Sequence, residues 1–170
     1  MEIQNLYHIF LKNKNICTDT RVMVKNSLFF ALKGKNFNGN EYASEALNKG
    51  AEYAIIDEAE YYLNDQYILV ENVLASLQKL ANYHRNQLHC PVIGITGTNG
   101  KTTTKELLAN VLETQYKVVA TKGNLNNNIG VPLTILTAPL DTEFLIIEMG
   151  ANHKKEIDFL CEIAEINYGV

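Results

Sequence analysis

Residues 94–104 read Gly94-Ile95-Thr96-Gly97-Thr98-Asn99-Gly100-Lys101-Thr102-Thr103-Thr104, directly after the apolar run Pro91-Val92-Ile93. The pattern is a strand, a glycine-rich turn and a helix that opens at Lys101. Such a turn points backbone N–H groups at a polyphosphate, and the helix N-terminus adds positive potential. Lys101 would reach the terminal phosphates, and the Thr102 hydroxyl would hold Mg²⁺. Thr96, Gly97, Thr98, Asn99, Gly100, Lys101, Thr102 and Thr103 are therefore the expected cradle for ATP. The common P-loop spacing needs glycine at 95, where Ile95 stands; the glycine falls at 97 instead. The strand before and the helix after favour a nucleotide loop over an ordinary turn with one exposed lysine.

Downstream, strands and helices alternate. Strands are expected at Val92–Ile95, 116–120 and 144–147, and helices at 101–113, around Pro132, and at 154–164. Continuous apolar strands between helices imply a parallel sheet covered on both faces. Asn167-Tyr168-Gly169-Val170 reads as the start of another strand, so the sheet looks truncated. Glu148 closes the run Phe144-Leu145-Ile146-Ile147, at the strand end where open α/β sheets bind ligands. A carboxylate there can ligate Mg²⁺ opposite Thr102, or can cap the next turn. Residues 124–128 hold four asparagines in five positions. Asparagine suits a tight turn, but its amide also both donates and accepts, which suits peptide or sugar–phosphate groups. The pattern alone leaves both readings open.

Upstream, Ile3, Leu6, Tyr7 and Phe10 mark a short amphipathic helix. Strands are expected at 27–32, 53–56 and 67–70, a turn-rich loop from Gly34 to Gly39, and a helix from Glu41 to Lys49 capped by Asn40. Leu74, Leu77, Leu80, Ala81, His84 and Leu88 form the stripe of a connecting helix. The expected organisation is a small α/β module over 1–85 and a P-loop-type parallel-sheet module over 86–170. Thr18-Asp19-Thr20-Arg21 and Lys33-Gly34-Lys35-Asn36 bracket the Phe29-Phe30 strand. They could line a pocket for a second phosphorylated ligand, although a solvated face is the commoner explanation.

The 170 residues carry 15 basic and 19 acidic side chains, a net charge of −4. That balance argues against nucleic acid as the main partner, which usually demands a basic face. Cys17, Cys90 and Cys161 are widely spaced and odd in number, so neither a zinc knuckle nor a disulfide framework is suggested. A reducing cytoplasmic compartment fits best. No apolar run approaches the length of a membrane span. His8, His84, His89 and His153 have no recognisable catalytic partners.

Several separated stretches resemble one family. Thr-Gly-Thr-Asn-Gly-Lys-Thr-Thr-Thr-Lys-Glu (96–106) is similar to the ATP loop of the Mur ligases, which carries the same displaced glycine. Gly-Asn-Leu-Asn-Asn-Asn-Ile-Gly-Val-Pro-Leu-Thr (123–134) and Ile-Glu-Met-Gly-Ala-Asn-His (147–153) resemble the branch that adds D-alanyl-D-alanine to UDP-N-acetylmuramoyl-tripeptide. Thr-Asp-Thr-Arg (18–21) and Leu-Phe-Phe-Ala-Leu-Lys-Gly (28–34) are similar to the family's uridine-nucleotide module.

The resemblance implies a UDP-binding domain over 1–85 and the opening part of an ATPase domain over 86–170. It implies ATP and Mg²⁺ as cofactors, and the UDP-linked tripeptide and D-alanyl-D-alanine as partners. ATP would phosphorylate the tripeptide carboxylate, and the dipeptide amine would attack the acyl phosphate. Lys101 and Glu148 become the catalytic residues, Thr102 and Glu148 the metal ligands. Asn126 and Asn127 become contacts to the UDP-linked peptide, and Thr20, Arg21, Lys33 and Gly34 contacts to uridine diphosphate. The family's second metal-site histidine, carbamylated lysine, adenine contacts and C-terminal domain have no counterpart within 1–170, so this polypeptide alone is expected to be inactive as a ligase. A sibling ligase that adds one amino acid, a ligase like folylpolyglutamate synthetase, and a non-catalytic UDP-sugar or nucleotide-binding module are the alternatives.

Overall fold

Ser27-Leu28-Phe29-Phe30 is buried at every position, which requires a strand covered on both faces. The computed structural model describes residues 1–170 and divides them into two units, Met1–Leu77 and Gln78–Val170. The first unit runs α1 (Ile3–Asn13), β1 (Asn15–Cys17), β2 (Ser27–Phe30), β3 (Lys33–Gly34), β4 (Phe37–Asn38), α2 (Ala43–Asn48), β5 (Ala51–Ile56), β6 (Tyr67–Leu69) and the start of α3 (Val73–Arg85). The division between the units falls inside α3.

In the first unit β1-β2-β5-β6 form one parallel sheet in that order. Ala43 and Ala46 of α2 meet Ala51 and Ala54 of β5, and Phe29, Ile56 and Tyr67 complete the cluster. Alanines on both sides let the helix approach the sheet closely, so Phe29 can fill the remaining space. One local expectation is sharpened by the fold and one is corrected. The turn-rich segment Gly34–Gly39 is the body of a β-hairpin, in which β3 and β4 pair antiparallel. Asn40 does not cap the helix. Asn38 caps a 3-10 turn at Gly39–Tyr42 by accepting from the Asn40 N–H, and the Asn40 amide, 1% exposed, is spent on Asp57.

The second unit carries the rest of α3, then β7 (Val92–Ile95), α4 (Lys101–Leu112), β8 (Val118–Ala120), α5 (Gly130–Leu136), β9 (Phe144–Glu148), α6 (Glu156–Ala164) and β10 (Tyr168–Gly169). The sheet order is β10-β7-β9-β8, all parallel. Ile95 stands opposite Glu148 in the β7–β9 register. The loops that leave β7, β8 and β9 therefore emerge at one edge, where α/β sheets bind ligands. On α4, Ala109 packs with Ile95 and Ile146 beneath that edge, flanked by Leu108 and Leu112.

Within this unit Arg85, 7% exposed, closes the end of α6. Its guanidinium donates to Ala164 O at 3.0 Å and Glu165 O at 3.2 Å, and to Asn167 Oδ1 at 3.1 Å. Asn167 Oδ1 in turn accepts from Val92 N at 2.8 Å, aligning the approach to β10 with β7. The three cysteines are free thiols, and no helix is long and apolar enough to cross a membrane.

Candidate functional site

Beyond Ile95 the backbone turns through Gly97 at φ +141° and Gly100 at φ +79°, conformations that side-chain-bearing residues rarely adopt. Gly100 is also the N-cap of α4 and offers no side-chain acceptor. The first-turn N–H groups of α4 are thus directed out of the helix end toward the exposed loop. Thr96, Gly97, Thr98, Asn99 and Gly100 are exposed. The Lys101 ammonium folds back and donates to Gly97 O at 2.6 Å, so the cation stays beside the loop.

Three elements converge on Glu148, which is 2% exposed at the end of β9. Thr102 Oγ1, on the first turn of α4, donates to Glu148 Oε2 at 2.9 Å. Asn126 Nδ2, from the loop after β8, donates to Glu148 Oε1 at 2.9 Å. The Glu148 peptide N–H donates to Thr121 Oγ1 at 2.9 Å. A carboxylate and a hydroxyl oxygen beside exposed N–H groups suit a hard divalent cation that shares its shell with water and phosphate oxygens. No group of three or more His, Cys, Asp or Glu assembles to cage a metal by protein alone.

A cavity of about 350 Å³ is bounded by residues 98–103, Gly123, Asn124, Asn126 and Glu148. A second, of about 510 Å³, shares Lys101, Asn124 and Asn126 and extends to Asn127, Asn152 and Phe159. The asparagine run splits between its two readings. The Asn126 amide serves Glu148, whereas Asn127 Oδ1 accepts from Ile129 N at 3.1 Å and Gly130 N at 2.8 Å, bracing the turn into α5.

The first unit has its own cavity, of about 320 Å³, lined by Thr18, Asp19, Thr20, Arg21, Phe29, Phe37, Gly39 and Tyr42. Arg21 clamps Asp19: Nε lies 2.9 Å from Oδ1 and Nη2 lies 2.6 Å from Oδ2. Those hydrogen bonds lower the Asp19 pKa to about 2. Lys33 and Gly34, expected to join Thr20 and Arg21, do not line this cavity. Lys33 Nζ pairs with Asp57 at 2.8 Å and Glu58 at 2.7 Å, hydrogen bonds that raise its pKa. Burial pushes the Asp57 carboxyl up, but Lys33, the Asn40 amide and the Val73 N–H outweigh it and leave the group below its ordinary value. Gly34 lies against the Phe37 ring, where a Cβ would stand 2.2 Å from Cε1. Both residues therefore shape the hairpin that brings Phe37 to the cavity wall.

Sequence reasoning passed over Phe37 and Tyr42, exposed aromatics at the first cavity, and Lys105 and Thr121 behind the second unit's site. Lys105 carried one signal, its position one helical turn after Lys101 on the same face.

The family model of the Mur ligase middle domain matches residues 95–170, and that of the Mur ligase family, catalytic domain, matches residues 12–88. The chain belongs to the Mur ligase family. The UDP-N-acetylmuramoyl-tripeptide–D-alanyl-D-alanine ligase of Bacillus subtilis is 43% identical over 151 residues, covering 88% of this chain and 33% of the relative. This Mur ligase chain thus spans about a third of the length of the curated relatives it matches. The crystal structure of MurF from Acinetobacter baumannii superposes with a TM-score of 0.84 at 32% identity, over 92% of this chain and 35% of that one. The MurF ligase of Thermotoga maritima in complex with ADP gives 0.80 at 37% identity, over 91% and 36%. The mixed α/β fold with parallel sheets read from the sequence matches these structures over most of the chain.

Proposed function

We propose that this chain supplies the nucleotide-handling part of an ATP-dependent ligase that adds D-alanyl-D-alanine to UDP-N-acetylmuramoyl-tripeptide in peptidoglycan precursor synthesis. The observation that carries the proposal is the meeting of Thr102 and Asn126 on the Glu148 carboxylate, beside the Gly97–Lys101 loop. The resemblance to relatives of that activity and the ADP complex of a structural neighbour support it.

Residues 86–170 would hold ATP. Thr96–Thr103 present backbone donors to the phosphates, and Lys101 leaves Gly97 O to neutralise the transferring phosphoryl group. Phosphoryl transfer needs mainly such positioning and charge compensation. Mg²⁺ fits the oxygen donors Thr102 Oγ1 and Glu148 Oε2 and, when bound, would neutralise charge on the phosphate oxygens. Asn126 and Asn127, on the wall of the larger cavity, would face the UDP-linked peptide whose carboxylate is activated.

Residues 1–85 would hold the uridine diphosphate end, with Thr20 and Arg21 at the cavity and Phe37 and Tyr42 offering ring faces to a planar base. Lys33 and Gly34 would act through the hairpin. We assign the reaction to the cytoplasm, in keeping with three free thiols. The net charge of −4 argues against nucleic acid as the main partner.

Calorimetric titration with UDP-N-acetylmuramoyl-tripeptide, with and without Mg²⁺-ATP, tests the reading. Saturable binding of the UDP-peptide that Arg21→Ala weakens, together with ATP binding that Lys101→Ala abolishes, is the expected result. ATP binding with no UDP-peptide binding would favour the folate-type ligase, and binding of neither would overturn the assignment.

A further inference from the structure

Lys105 is the most deeply buried cation of the chain, at 1% exposure, one turn beyond the phosphate loop on α4. Burying an ammonium is costly unless it is hydrogen-bonded. Its Nζ donates to Thr121 O at 2.7 Å and pairs with Glu106 Oε1 at 2.9 Å. Thr121 is the residue that follows β8, itself 2% exposed. Its N–H donates to Ile146 O at 3.0 Å and its hydroxyl accepts from Glu148 N at 2.9 Å. One residue thus ties α4 to β9: its carbonyl to Lys105, its hydroxyl to the backbone of Glu148.

We propose that Lys105 is a positioning residue for the cation site: through Thr121 it sets Glu148 against Thr102. The two ligands sit on different elements. Thr102 rides on α4 and Glu148 on β9, and their 2.9 Å spacing depends on how far α4 stands from the sheet edge. The apolar contact of Ala109 with Ile95 and Ile146 holds α4 lower down. Near the loop, the Lys105–Thr121–Glu148 chain is a second polar link across the gap that the Thr102–Glu148 hydrogen bond spans. Outer partners of this kind tune cation affinity without touching the ion. The inference rests on the nucleotide-site reading above.

The test is ADP binding by calorimetry across a Mg²⁺ titration and in EDTA, for wild type, Lys105→Met, Thr121→Val and Thr121→Ser. Lys105→Met and Thr121→Val should raise the Mg²⁺ concentration at half-effect by about 10- to 100-fold. Metal-free ADP affinity should stay within about twofold, and Thr121→Ser, which keeps the hydroxyl, should behave as wild type. Thr121→Val leaves the Thr121 carbonyl with Lys105 but removes the hydroxyl that accepts from Glu148 N, so it breaks the chain at its second joint and decides the matter if Lys105→Met does not fold. A wild-type midpoint in Thr121→Val overturns the inference, as does an equal loss of ADP affinity in EDTA or the failure of both variants to fold. A wild-type chain whose ADP binding ignores Mg²⁺ would instead bring down the nucleotide-site reading, and this inference with it.

Discussion

Asn126 holds both the Glu148 carboxylate and the backbone just beyond it. Its side-chain amide donates to Glu148 Oε1 at 2.9 Å, and its carbonyl accepts from Gly150 N, two residues beyond that carboxylate, at 2.8 Å. The asparagine loop is thereby fastened to the end of β9 by both backbone and side chain. Any ligand group that draws the Asn126 amide away also frees one oxygen of Glu148, so the two cavities that share Asn126 are chemically linked.

Asn126→Asp should expose that link. A second carboxylate against Glu148 repels it in a poorly solvated setting, and a dication relieves the repulsion. We expect a loss of about 2 kcal/mol in Mg²⁺-free urea unfolding, largely restored by millimolar Mg²⁺. Unchanged stability in the absence of Mg²⁺ would contradict the contact.

Lys101→Met separates binding from folding. The ammonium's bond to Gly97 O lies in an exposed loop, so its loss should change stability by no more than about 0.5 kcal/mol. ADP affinity should fall at least about tenfold, since a charge-assisted bond to phosphate contributes roughly 1.5–3 kcal/mol. Paired urea and calorimetric titrations read the two effects.

Gly130→Ala tests the close approach beneath the asparagine loop. A Cβ at 130 would stand 2.3 Å from the carbonyl carbon of Leu125, a backbone atom that cannot rotate away. The loop must shift, at about 1–3 kcal/mol, and carry Asn126 with it. Weakened UDP-peptide binding and a lower urea midpoint are expected together; an unperturbed variant would mean the loop yields without cost.

His84 makes the second unit sensitive to acid. Burial lowers its pKa from 6.5, against the opposing hydrogen bond from Nε2 to Ala138 O at 2.8 Å. Because Ala138 O only accepts, the neutral ring carries its proton on Nε2. The unfolded chain takes up the extra proton first as pH falls. The contribution is therefore complete above about pH 6.5 and is lost below it, down to the folded-state pKa. Urea unfolding at pH 7.5 and 5.5 should show lower stability at the acid value, and His84→Gln should flatten the difference.

Short-range pattern accounts for much of this architecture. The strand–turn–helix at 92–112, the buried β2 segment and the β9 run ending in Glu148 all follow from local periodicity and glycine placement. The meeting of Glu148 with Thr102 was legible too, because parallel strands send their following loops to the same edge. Asn40 departs from the capping role for a physical reason: helix capping and bridging to Asp57 draw on the same amide, and the position of Asp57 decides between them.

Local sequence is enough to specify the glycine-rich strand–turn–helix, the α/β character of both halves and the carboxylate that closes β9, because each depends on neighbours within one or two turns of chain. The partners of the isolated polar residues follow instead from how the strands and helices pack. Lys33 turned to Asp57 and Glu58 rather than to the cavity, and Lys105 went inward to Thr121. Those contacts join residues 16 to 25 positions apart. A lysine's long stem reaches either solvent or core, and the choice is made by the packing of strands around it.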